Sequence, residues 1–232
     1  MRQIPLTLAI PPSYKRDNFI IGPANERAMQ WLTLWPEWPL PYRVLNIFGA
    51  SGCGKTHISY VFEALSGARR LSELKDIKMI IGADDTHFIL DDFELDAAYD
   101  LEAVFHFFNH LGSIGGTALL LSQQSAAQMD CPLDDLRSRL RAVTCQEISA
   151  PDDDFLAQVL QSMFGDRQCS APENVISYMI THMPRNFTAA YQLVAAIDMA
   201  ALAAKKPVTL GLVKEVMMPD NKALEFNFKH GK

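Results

Sequence analysis

Residues 49–56 read Gly-Ala-Ser-Gly-Cys-Gly-Lys-Thr, which satisfies the spacing G-x-x-x-x-G-K-[ST] at every position. Gly49, Gly52 and Gly54 let the backbone turn so that successive N–H groups around Cys53 point at one anion. Lys55 adds a point charge for the outer phosphates, and the Thr56 hydroxyl can ligate Mg²⁺. A helix starting near Thr56 aims its positive end at the same phosphates. The chemistry these residues suit is capture of a nucleoside polyphosphate, ATP or ADP, with Mg²⁺. Cys53 reads as a tolerated small residue rather than a redox switch.

A phosphate loop of this kind needs an acid at the end of a neighbouring strand to hold the Mg²⁺ shell. Asp91, directly after the apolar run Phe88-Ile89-Leu90, is that acid. Asp92 beside it either orients an attacking water or caps the helix that follows. Asp84, Asp85, Glu94 and Asp96 have no strand end to project from and read as solvated loop charges.

Further along, Leu136-Arg137-Ser138-Arg139-Leu140-Arg141 sets arginines at alternate positions. They form a basic surface stripe, or one of them reaches a γ-phosphate bound in an adjacent subunit. Arg185 precedes a helix start, where a cation opposes the helix dipole and the helix gains nothing from it. Its two readings are contact with the nucleotide from a second domain and simple exposure. His106 and His110 have the one-turn spacing of metal ligands but no third ligand; they read as helix packing or edge residues.

The chain that must position these groups has 232 residues, enough for one large domain or two smaller ones. Its formal charge of -6 argues against a protein whose main task is gripping nucleic acid. The cysteines, Cys53, Cys131, Cys145 and Cys169, show neither C-x-x-C spacing nor clustering with histidine, so a reducing cytoplasm is expected. No run approaches the ~18 apolar residues that span a bilayer, and no membrane association is expected. The N-terminus, Met-Arg-Gln-Ile-Pro-Leu-Thr-Leu, is interrupted by prolines and followed by Lys15-Arg16-Asp17, which excludes a signal peptide. A buried strand and a docking peptide remain open for it.

Strand and helix alternate through the first two thirds. A helix is predicted from Asn25 to about Trp35, and strands at Val44–Phe48, Thr86–Asp92 and Thr117–Ser122. Further helices are predicted at His57–Leu65 and Leu101–Leu111. This order predicts an α/β domain with a largely parallel sheet over 14–150. After Pro151 only helices are expected: 155–164, 172–182, 187–203 and 210–217. Asp152-Asp153-Asp154 marks the first N-terminus. The predicted organisation is thus an N-terminal peptide 1–13, the α/β domain, a small all-helical domain 151–218 and a flexible tail 219–232.

Taken together, these motifs resemble the DnaA family of AAA+ ATPases, over roughly residues 14–217. Tyr14–Asn25 is similar to the family's F-x-x-F-V-x-G-x-x-N segment, which implies that Ile21 and Gly22 lie against the adenine. Gly-Lys-Thr-His at 54–57 matches the family's G-K-T-H, adding His57 to the site. Leu136–Leu140 resembles its L-x-S-R-[FL] box, which selects Arg139 as the arginine finger, and Arg185 falls at the sensor 2 position of the helical lid. The resemblance implies a three-layer P-loop AAA+ domain followed by an all-helical lid, holding ATP or ADP with Mg²⁺. Ser122-Gln123-Gln124 departs from the family's sensor 1, the stretch before Thr86 is short, and no helix-turn-helix reader is expected after Met217.

One regulatory branch of this family consists of the AAA+ module preceded by a clamp-docking peptide of the form Q-L-x-L-P-L. Gln3-Ile4-Pro5-Leu6-Thr7-Leu8 is similar to it, which implies that Gln3, Ile4, Leu6 and Leu8 dock on the sliding clamp (the β subunit of the DNA polymerase). A directional amide and apolar side chains on a proline-stiffened peptide suit a hydrophobic groove. The implied activity is stimulation of ATP hydrolysis on the DnaA initiator, which turns initiation off. The implied partners are DnaA, the clamp and a second copy in a dimer, with DNA reached only through the clamp. Intrinsic hydrolysis is left open. A stand-alone ATPase or phosphotransferase and an adaptor or helicase-loader-like module are the alternative readings.

Overall fold

The apolar runs of the first two thirds form strands buried on both faces. A computed structural model describes residues 19–71, 85–95 and 100–218. The docking peptide with Gln3, Ile4, Leu6 and Leu8, the segment Tyr14–Asn18, Asp84, Asp96 and the tail 219–232 lie outside the described residues.

In chain order the α/β unit runs α1 (Glu26–Thr33), β1 (Val44–Phe48), α2 (Lys55–Ser66), β2 (Arg69–Leu71) and β3 (His87–Leu90). It continues with α3 (Leu101–Ile114), β4 (Thr117–Ser122), α4 (Asp134–Arg141) and β5 (Thr144–Glu147). The five strands pair in the order β2-β3-β4-β1-β5, all parallel. Parallel strands need crossovers, and the crossover helices cover both faces. Strand alternation divides the core accordingly. Val44, Phe88, Leu90, Ala118 and Leu120 face Val104, Phe107, Phe108 and Leu111 of α3 and Leu136 and Leu140 of α4. Leu45, Ile47, Ile89, Leu119 and Leu121 face Ala28 and Leu32 of α1 and Ile58 and Phe62 of α2. The result is a three-layer α/β/α unit.

Each fully buried phenylalanine or leucine here contributes about 1.5–3 kcal/mol. Truncating Phe108, which has 0% exposure, costs ~3–5 kcal/mol. Helix α3 begins where Asp100 accepts a hydrogen bond from the Ala103 N–H at 3.0 Å. The cap of α3 is therefore Asp100, and the capping alternative for Asp92 does not apply to this helix.

Compact units meet at Ala150/Pro151. The second unit is helical among its described residues: α5 (Asp153–Asp166), α6 (Glu173–His182), α7 (Phe187–Ala204) and α8 (Leu210–Met217). Asp152, Asn186 and Thr209 cap α5, α7 and α8 through their side chains, as their residue types favour. Leu156, Leu160, Phe164, Ile176, Met179, Val194, Ile197 and Val213 make its core. Helix α7 is the one described helix long and apolar enough to cross a membrane. Thr188, Gln192 and Asp198 interrupt it, and its Ala190–Val194–Ile197 stripe packs inside the unit.

Candidate functional site at the P-loop

Strand β1 is central in the sheet, with β4 on one side and β5 on the other, so the chain reverses its winding there. Ligands of open parallel sheets bind at the carboxyl ends of strands at this switch point. The loop 49–54 leaves β1 at that end and opens α2. A Cβ at Gly49 (φ +155°) would meet the Ile148 carbonyl oxygen at 2.5 Å, so no side chain fits. Gly54 is the α2 N-cap in the left-handed region, φ 102°. It offers no side chain to the helix, and the first turn of α2 holds no acid. The helix N–H groups are thereby left to an external acceptor, the arrangement that binds phosphate.

Lys55 is 8% exposed, and its Nζ donates to the carbonyls of Gly49 (2.6 Å) and Ala50 (3.1 Å). The ammonium is thus held inside the loop curve. Cys53 is buried with its Sγ 3.9 Å from that Nζ. Burial pushes its thiol up despite Lys55, which keeps it neutral and suits a packing role. Thr56 is exposed in the first turn of α2.

Asp91 follows β3 directly. Burial raises its carboxyl above the usual range and Asp92 adds to this, while Arg70 and Lys55 oppose. Its Oδ1 accepts the Asp92 N–H at 3.1 Å. Asp92 itself has φ 52°, a left-handed turn, after which the Phe93 N–H donates to the Leu121 carbonyl of β4 at 2.7 Å. The backbone donors, Lys55, Thr56 and Asp91 are groups whose chemistry fits a Mg²⁺-bound polyphosphate.

The neighbouring groups divide as follows. Ile21 is 55% exposed, and Gly22 donates its N–H to Asn25 Oδ1 at 2.9 Å. Phe19 meets the His57 ring edge-on at 4.8 Å between centroids. Ser122 is buried and donates to the Gln124 carbonyl at 2.6 Å, while Gln123 and Gln124 are exposed. Glu94 and Asp85 are less free than expected: Glu94 accepts the Gln123 N–H at 2.9 Å, and Asp85 pairs with Arg69 at 2.9 Å.

The alternating arginines sit on α4, where Arg137 and Arg141, one turn apart, share a face and Arg139 is turned to another. Arg137 is engaged by Asp134 and by the Cys131 carbonyl. Arg141 is exposed. Arg139 lies 4.3 Å from the centre of the Phe105 ring and 5.3 Å from that of Tyr42. These aromatic contacts, not the phosphate loop, fix its position. In the helical unit Arg185 pairs with Asp153 of α5 at 2.9 Å and stays 59% exposed. His106 is exposed and His110 half-buried, and no metal-binding cluster occurs among the described residues.

Two residues that sequence reasoning did not single out shape the site. Asn46 is fully buried in β1; its amide donates to Ser122 Oγ (2.8 Å) and the Leu120 carbonyl (3.2 Å) and accepts the Ala126 N–H (2.8 Å). A lone amide within Val-Leu-Asn-Ile-Phe was the available signal. Arg70 of β2 joins α2 to Asp91, and nothing in its sequence setting marked it.

The P-loop after β1, the acid pair after β3 and this strand order define an AAA+-type P-loop fold, followed in sequence by a helical unit. Residues 152–217 match the family described as "Hda, lid domain". The chromosomal replication initiator protein DnaA of Clavibacter sepedonicus is 25% identical over 230 residues, covering 89% of this chain and 48% of that protein. The chain thus spans about half the length of that curated relative. Domain III of Thermotoga maritima DnaA superposes with TM-score 0.73 at 20% identity, over 91% of this chain and 98% of that one. AMPPCP-bound DnaA from Aquifex aeolicus gives TM-score 0.67 at 20% identity, over 81% of this chain and 66% of that one. The chain thus has an AAA+-type fold similar to that of DnaA, and its helical unit matches the Hda lid domain.

Proposed function

We propose that this protein is a regulator of replication initiation that binds ADP or ATP with Mg²⁺ and promotes hydrolysis of the ATP held by DnaA. The observation that carries this reading is Arg139: a guanidinium seated on Phe105 and Tyr42 with no carboxylate partner among the described residues. An arginine offered in this way suits an anion supplied by another molecule, as an arginine finger does in trans. The lid match to Hda and the likeness to DnaA support the choice of DnaA as that molecule.

At the protein's own site, the loop N–H groups and Lys55 would hold the phosphates, and Thr56 and Asp91 the magnesium ion. When bound, magnesium supplies neutralisation of phosphate charge. Arg185 would approach the nucleotide from the lid after exchanging Asp153 for a phosphate. Gln3, Ile4, Leu6 and Leu8 would dock on the sliding clamp and so bring the protein to DNA without direct DNA contact. The working state would be a cytoplasmic homodimer.

The deciding experiment is a pull-down on the DNA-loaded clamp with the full chain and a variant lacking residues 1–10, scored for DnaA recruitment in ADP. Retention of DnaA by the full chain alone is the expected result. Equal capture of the clamp by both, or by Gln3→Ala, overturns the docking claim.

A second reading, a self-sufficient ATPase, is favoured by Asp92 standing next to Asp91 at the end of β3. Brisk turnover in the absence of clamp, DnaA and DNA would support it over the first.

A further inference from the structure

Arg70 lies in the middle of β2, paired in register with Ile89, two residues before Asp91. Its Nε donates to Glu63 Oε2 at 2.7 Å and its Nη2 to Ser59 Oγ at 2.9 Å. Its guanidinium also lies 4.1 Å over the Tyr60 ring. All of these partners belong to α2, the helix that opens at the phosphate loop. The remaining nitrogen, Nη1, stands 3.8 Å from Asp91 Oδ2. Arg70 thus spans from the phosphate-binding helix to the strand-end acid, and its side chain is only 28% exposed.

We propose that Arg70 is a resident counter-charge of the nucleotide site, one that offsets the Asp91 carboxylate without occupying it. This rests on reading Asp91 as the magnesium-side acid. The distances carry the argument. The hydrogen bonds of Arg70 go to α2, which fixes the guanidinium. Its gap to Asp91 is too long for a hydrogen bond but within Coulombic reach. The carboxylate's charge is offset, yet its oxygen lone pairs stay available for another ligand. A planar fork is required, since one side chain serves Glu63, Ser59 and Tyr60 at once while facing Asp91.

The consequence is a sign-specific coupling. Without magnesium, Asp91 repels the nucleotide phosphates, and Arg70 offsets that repulsion. With magnesium, Arg70 competes weakly for the same carboxylate. Removing Arg70 therefore weakens magnesium-free nucleotide binding and strengthens magnesium binding to the nucleotide-loaded protein. The two effects are linked, because magnesium and nucleotide raise each other's affinity by one common factor.

The test titrates a fluorescent ADP analogue into the wild-type full chain, Arg70→Ala, Arg70→Lys and Asp91→Asn, with magnesium and with EDTA. For Arg70→Ala the magnesium-free affinity is expected to fall about tenfold, and the ratio of affinities with and without magnesium to rise by a similar factor. Arg70→Lys keeps the charge but loses the fork, so it is expected to return that ratio only part of the way to wild type. General damage to the fold lowers both affinities together and leaves the ratio unmoved. An unchanged ratio in Arg70→Ala, or no recovery in Arg70→Lys, overturns the proposal. If Asp91→Asn keeps the wild-type magnesium dependence, the assignment of Asp91 itself fails, a separate result.

Discussion

Arg139 rests its guanidinium 4.3 Å from the centre of the Phe105 ring, so a helix of the sheet's outer layer presents a cation on an aromatic seat. Its neighbour two residues earlier, Arg137, is already spent on Asp134 and the Cys131 carbonyl. If Arg139 acts in trans, Arg139→Ala should lower stimulation of DnaA-bound ATP hydrolysis by about a thousandfold, the scale of an arginine finger. Nucleotide binding by the variant itself should be unchanged. Phe105→Leu keeps the apolar packing but removes the ring face. A partly exposed cation–π contact is worth ~0.5–1 kcal/mol, so stimulation should fall only about two- to fivefold. A reconstituted hydrolysis assay with DnaA and loaded clamp measures both, and full stimulation by Arg139→Ala rejects the assignment.

Asp91 makes a second expectation, in which binding and stability move in opposite directions. Burial, followed by the charge of Asp92, disfavours its ionised form. Asp91→Asn removes that penalty and keeps an oxygen to accept the Asp92 N–H. In the absence of ligand the variant should melt higher, by about 2 °C for a chain of this size. Its stabilisation by magnesium–ADP should be largely lost. A calorimetric scan with and without ligand reads both, and a variant that melts lower without ligand contradicts the account.

The candidate site was legible in the sequence where one residue type does one job. The loop 49–56 needs those glycines, that lysine and that hydroxyl, and Asp91 follows a run too apolar to be anything but buried strand. The domain break was marked by Pro151 and the acids of the α5 cap. What escaped detection depends on tertiary pairing. Arg69-Arg70-Leu71 is a three-residue edge strand with charged side chains, held by β3 on one side. Thr144–Glu147 is the opposite edge, polar because only part of it is covered. Alternating arginines at 137, 139 and 141 looked like one stripe, but on α4 Arg139 turns away from the face that Arg137 and Arg141 share. No periodicity announces Arg70 or Phe105, because their partners lie on other elements.

Asn46 supplies a test of how the sheet holds the loop that follows β4. Its buried amide links Ser122 Oγ, the Leu120 carbonyl and the Ala126 N–H, and Ser122 passes the link on to the Gln124 carbonyl. Asn46→Leu is close to isosteric but leaves the Ala126 N–H buried without its acceptor. The expected cost is about 2–3 kcal/mol, from unmet buried polar groups rather than lost packing. Asn46→Asp keeps acceptors but loses the donor and buries a charge, and should be at least as damaging. Urea unfolding of both variants provides the check; a loss under ~0.5 kcal/mol in each would mean the network is dispensable.

His87 gives a pH dependence whose sign can be worked out. The indole N–H of Trp35 donates to Thr117 Oγ1 at 3.1 Å, and His87 Nδ1 lies 2.9 Å from the same oxygen. An indole nitrogen can only donate, so Thr117 accepts from it, and in the Nε2–H tautomer of His87 the Thr117 hydroxyl donates to Nδ1. Burial lowers the histidine's pKa below its ordinary 6.5, in line with a neutral ring. A base whose folded pKa is depressed binds fewer protons folded than unfolded in that window, so stability rises with pH there. The wild type should therefore lose stability as pH falls from 6.5 towards the depressed value, and then lose no more from this group. His87→Gln keeps an acceptor for Thr117 and cannot titrate. The difference in unfolding free energy between the two chains, followed from pH 8 to pH 5, should move in the variant's favour as acid is added. A difference that stays flat across that range would show that His87 carries its proton as easily folded as unfolded.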